Sequence, residues 1–105
     1  MLDKEKARQI AAEYAKEVSK VLPIDKAILF GSFASGSPHE ESDIDVAVFV
    51  RGLDAESWYA TRILLQDVLW NRTFLDIEPH LLDETDDPSG FVSHVLNTGE
   101  VIYAA

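Results

Sequence analysis

Two aspartates, Asp43 and Asp45, stand one residue apart at the head of an apolar run, Val46-Ala47-Val48-Phe49-Val50. Upstream, a second apolar run from Ala27 to Phe30 breaks off at Gly31-Ser32. Both features read as strand ends, which presses polar chemistry against a hydrophobic core. Alternation along a strand sends Asp43 and Asp45 to one side and Ile44 to the other. Ionising two neighbouring carboxylates at the rim of an apolar sheet is unfavourable unless a cation or a proton compensates. A divalent metal is the simplest compensation, and hard oxygen donors in this number suit Mg²⁺, which bridges protein carboxylates to substrate phosphates. Gly31 admits a ligand close to the backbone, and Ser32 adds an N–H and a hydroxyl suited to phosphate oxygens.

The segment Gly31-Ser32-Phe33-Ala34-Ser35-Gly36, followed by Ser42-Asp43-Ile44-Asp45-Val46, resembles the signature of the DNA polymerase beta-like nucleotidyltransferases. So short a chain resembles the minimal nucleotidyltransferase group of that superfamily, many members of which are antitoxins paired with a HEPN-domain toxin. The resemblance implies an α+β fold, a two-layer arrangement of a small mixed sheet packed with helices.

At 105 residues the chain is expected to be one domain, residues 1–105, with one core and no room for a separate acceptor-binding domain. No apolar run approaches membrane-spanning length, and the charged N-terminus lacks a signal-peptide stretch, so a cytoplasmic location is expected. The absence of cysteine excludes disulfides and thiolate metal sites. A net charge of −10 disfavours free nucleic acid as acceptor and is easier to reconcile with a basic protein partner.

Along the chain, Asp3 to Leu22 carries Ala7, Ile10, Ala11, Tyr14, Val18, Val21 and Leu22 at helical spacing, and Pro23 stops the helix. Lys26 to Phe30 reads as the first strand, Ser32 to Ser35 as a short helical segment, and Ile44 to Val50 as a central strand apolar on both faces. Asp54 is placed to cap a helix running to about Trp70. Thr73 to Leu82 reads as a third strand with Phe74, Asp76 and Glu78 on one face, and Pro79 implies that it lies at an edge or ends early. Ser89 to Thr98 forms a last helix with Phe91, Val92, Val95 and Leu96 inward; Gly99 caps it, and Glu100 to Tyr103 adds a short strand.

The short link between the first two strands suits antiparallel neighbours, and the helix between the second and third suits a parallel crossover. That topology carries Asp76 to the edge where Asp43 and Asp45 begin. The resemblance agrees, since the family's third metal-site acid matches Asp76, with Glu78 the runner-up on the same face. It implies Asp43, Asp45 and Asp76 as catalytic residues holding two Mg²⁺ ions, Gly31, Ser32 and Ser42 as nucleotide-binding residues, and ATP as substrate. His39, His80 and His94 fit no ligand spacing and read as surface or locally bonded histidines.

The implied reaction moves AMP from ATP onto a hydroxyl of a protein partner, a tyrosine of a HEPN toxin. Two alternatives stand beside it: neutralisation of the partner by binding alone, which Ser35 favours where many relatives have arginine, and nucleotidyl transfer to a small molecule. The sequence leaves self-association open.

Overall fold

The computed structural model describes residues 3–35, 43–70, 74 and 76–105. The element order is α1 (Lys4–Ser19), β1 (Lys26–Phe30), α2 (Ser32–Ser35), β2 (Ile44–Phe49), α3 (Ala55–Leu69), β3 (Ile77–Leu82), α4 (Phe91–Thr98) and β4 (Glu100–Ala104). The strands form one mixed sheet in the order β3-β2-β1-β4. β1 runs antiparallel to both β2 and β4, whereas β2 and β3, joined through α3, are parallel as the helical crossover requires.

Alternation divides the sheet between two layers. Ala27, Leu29, Ile44, Val46, Val48, Ile77 and Leu81 pack beneath α1 and α3 with Ala11, Tyr14, Val18 and Leu65. Ile28, Phe30, Ala47 and Phe49 face the other way and are covered by Val92 and Val95 of α4. β2 is thus central and buried on both sides except at Asp45, its one half-buried position. Tyr14 ties α1 to α3 by donating its hydroxyl to the Leu65 carbonyl at 2.9 Å.

The helix starts follow their caps. Asp3 accepts from the Lys6 N–H and Asp54 from the Ser57 N–H, both at 2.8 Å. At α4 the cap comes from further back, because Asp87 accepts from the Val92 and Ser93 N–H groups at 2.9 and 3.1 Å and from the Ser93 hydroxyl at 2.6 Å.

Several boundaries differ from the sequence expectations. α1 ends at Ser19, before Leu22, and leaves Val21 exposed. The third strand begins at Ile77, and Phe74 packs edge-on against the Tyr14 ring at 5.6 Å, in the same core cluster as Ile77. The strand alternation therefore does not reach back to Phe74. In α4 only Val92 and Val95 are buried, while Phe91 and Leu96 keep 38% and 36% of their surface exposed. Pro79 lies on the outer strand as expected, where its missing N–H is tolerated, and β3 continues past it to Leu82. Among the described residues no helix is long and apolar enough to cross a membrane.

Candidate active site

The cross-strand register assembles the site on the face that α4 partly covers. Phe30 of β1 lies opposite Asp45 of β2, and Asp45 lies opposite Glu78 of β3. One row further in, Ile28, Ala47 and His80 are aligned in the same way. Directly after Phe30 the chain turns at Gly31, whose φ is +80°, a conformation that L side chains rarely adopt. A Cβ on Gly31 would overlap Asp45 Oδ2. Glycine is therefore required there for two reasons, its dihedral and the carboxylate it adjoins. Ser32, half-buried, opens α2 immediately beyond.

His80 Nε2 stands 3.2 Å from Asp45 Oδ1. One donor atom each from Asp45, Glu78 and His80 lies within 4.8 Å of the others, the group of three potential metal donors found among the described residues. Two carboxylates and an imidazole at this spacing fit a divalent cation, which would offset the negative charge concentrated at the sheet rim. Aromatic rings border the group: Phe30 meets His80 edge-on at 5.0 Å between centroids, and Phe91 meets Phe30 at 5.6 Å.

Asp43 is exposed and immediately precedes β2, and Asp76 is exposed and immediately precedes β3. They meet through the backbone at the start of the parallel ladder, where the Ile44 N–H donates to the Asp76 carbonyl at 2.8 Å. Neither carboxylate belongs to the three-donor group. Ser42 lies outside the described residues. Among the described residues, the three-donor group joins Asp45 to Glu78 and to His80, a histidine that reads from sequence alone as a surface or locally bonded residue. The available signal was the pair Glu78 and His80, two apart on a strand and hence on one face.

The model of the family described as Polymerase beta, Nucleotidyltransferase matches residues 7–105. The chain belongs to that family. Among relatives of this nucleotidyltransferase, a protein of Methanocaldococcus jannaschii named "Putative protein adenylyltransferase MJ0141" is 30% identical, with 75% of this chain and 91% of that protein covered. A "putative nucleotidyltransferase" crystal structure from Sulfolobus solfataricus superposes with a TM-score of 0.70 at 20% identity, covering 96% of this chain and 83% of the other. A toxin–antitoxin crystal structure with AMP-PNP gives a TM-score of 0.62 at 24% identity, covering 90% and 73%. A mutant of the toxin–antitoxin MntA-HpeT gives 0.57 at 22% identity, covering 99% and 75%. These likenesses establish the α+β nucleotidyltransferase fold for this chain.

Proposed function

We propose that this chain transfers AMP from ATP onto a hydroxyl group of a protein partner, and that the partner is a HEPN-domain toxin neutralised by the modification. The observation that carries the reading is the close approach of Gly31 to Asp45. It adjoins a backbone suited to phosphate oxygens and a carboxylate suited to a divalent cation, the two requirements of phosphoryl-type transfer. The name of the M. jannaschii relative supports a protein acceptor, and the toxin–antitoxin neighbours, one with AMP-PNP, support the partner class and the nucleotide.

In this reading Asp43, Asp45 and Asp76 hold Mg²⁺, and Glu78 adds its carboxylate beside Asp45. A divalent ion held there would neutralise charge on the triphosphate and lower the pKa of the acceptor hydroxyl. Gly31 and Ser32 cradle the β and γ phosphates, and Ser42 is assigned to nucleotide binding. The acceptor oxygen attacks the α-phosphorus in line, the bond to the β-phosphate oxygen breaks, and pyrophosphate leaves. Asp76 takes the hydroxyl proton. The net charge of −10 repels nucleic acid and favours a basic protein surface as acceptor.

Incubation with α-labelled ATP, Mg²⁺ and the protein encoded by the neighbouring gene tests this. Label on the partner protein is the expected result. A stable complex without label, or label on a small molecule, would overturn it.

A further inference from the structure

The transfer reaction proposed above makes no use of His80, yet this residue sits within the carboxylate cluster. It follows Glu78 by two residues on β3 and shares its face of the sheet. Register sets it opposite Ala47, two residues along β2 from Asp45 and on the same face. The edge of the Phe30 ring, 5.0 Å away between centroids, holds the imidazole at a defined tilt. Nε2 thereby comes to 3.2 Å from Asp45 Oδ1.

That separation suits shared coordination. With metal–ligand bonds of about 2.1 Å, adjacent ligands are about 3.0 Å apart in an octahedral shell and about 3.4 Å apart in a tetrahedral one. The Asp45–His80 separation of 3.2 Å falls between the two, and the Glu78 donor lies within the same 4.8 Å limit. An imidazole also adds a ligand without adding negative charge, which matters where two carboxylates already converge in a chain of net charge −10.

We infer that His80 is a metal ligand through Nε2, beside Asp45 and Glu78, and that its nitrogen makes the site select a first-row transition ion over Mg²⁺. The inference rests on the metal-dependent reading of the site given above and changes it at one point, putting a transition ion in place of Mg²⁺ where Asp45, Glu78 and His80 meet. Mg²⁺ is hard, dehydrates reluctantly and gains little from a nitrogen donor. Transition ions accept mixed oxygen and nitrogen ligands, with affinity rising from Mn²⁺ towards the later members of the series. His80 acts here as a specificity residue for the ion.

Mn²⁺ alone serves as the probe, compared with Mg²⁺ by calorimetric titration of the full chain without nucleotide, and with pulsed electron paramagnetic resonance on the Mn²⁺ complex. Mn²⁺ is expected to bind on the order of tenfold more tightly than Mg²⁺, and its spectrum to carry ¹⁴N modulation from a directly bound imidazole. His80→Gln should abolish the modulation and bring the two affinities together. His80→Asp should keep Mn²⁺ bound without nitrogen coupling while raising affinity for Mg²⁺, with circular dichroism verifying that each variant folds. Equal affinities in the unaltered chain, or Mn²⁺ bound without ¹⁴N modulation, would overturn the role of His80 and leave the nucleotidyl transfer reading intact. Binding of neither ion would overturn the metal site at His80, while the label-transfer assay decides the nucleotidyl transfer reading separately.

Discussion

Gly31 and Asp45 are fitted to each other: no atom larger than hydrogen can occupy the side-chain position of Gly31 without striking the Asp45 carboxylate. The turn that ends β1 and the acid near the start of β2 are thus one structural unit, formed across the β1–β2 pair in which Phe30 opposes Asp45. Gly31→Ala should act on both. The strained positive φ costs about 1–3 kcal/mol of stability, and displacement of the carboxylate should lower nucleotidyl transfer on the order of a hundredfold. Urea unfolding and label transfer, measured on the same preparation, separate the two effects.

Removing the acids should cost function without costing the fold. Asp43 is exposed and Asp45 half-buried at the rim, so Asp43→Asn/Asp45→Asn relieves like-charge crowding when no metal is bound. Its melting temperature without metal should equal or exceed that of the parent chain. The parent should gain about 2.7 kcal/mol from a metal supplied at a hundred times its dissociation constant, and the double variant should gain none. Thermal melts with and without divalent metal check this, and transfer of label by the variant would contradict the assigned role of the acids.

Which features were readable before folding depended on whether their cause was local. The break from Phe30 to Gly31 placed β1 and α2, and Asp54 placed the start of α3, because each signal lies within a few residues of its effect. The start of β3 is not legible locally because Phe74 packs against the Tyr14 ring on α1, a distant partner that overrides the local alternation. The contact of His80 is hidden for the same reason: its partner Asp45 is 35 positions away, and only the parallel register of β2 and β3 brings the two together. The Gly31-Ser32 turn and the aspartate pair are each legible as chemistry, but the contact of Gly31 with Asp45, and its steric demand for glycine, are properties of the packed sheet.

The alkaline limit of stability should trace to Tyr14. Burial raises its phenol above the ordinary 10.0, so the unfolded chain ionises first. The stability due to the neutral phenol is fully present below about pH 10 and is lost as pH rises beyond it. Tyr14→Phe leaves the Leu65 carbonyl without its donor, which should cost about 1–2 kcal/mol at neutral pH, and should flatten the alkaline decline. Chemical denaturation at neutral pH and above pH 10 checks both expectations.

The acid limit should trace to capping carboxylates. The Ser93 hydroxyl, with the Val92 and Ser93 N–H groups, holds Asp87 below the ordinary 3.8, and Ser57 does the same for Asp54. The hydrogen bond from Arg8 likewise lowers Glu100 from 4.5. A depressed carboxylate stabilises the fold above its unfolded value, and that contribution is lost as pH falls through the folded one. Stability should therefore decline below about pH 4, and Asp87→Asn should lower it at neutral pH while making the acid decline shallower. Circular dichroism melts across that range would reveal the change of slope.

The most direct measurement is a crystal structure of the full chain with Mn²⁺ and a non-hydrolysable ATP analogue, using anomalous scattering to locate the ion. The expected map has metal density against Asp45, with the triphosphate seated on the Gly31-Ser32 turn. Nucleotide bound elsewhere, with no anomalous peak at Asp45, would contradict the account.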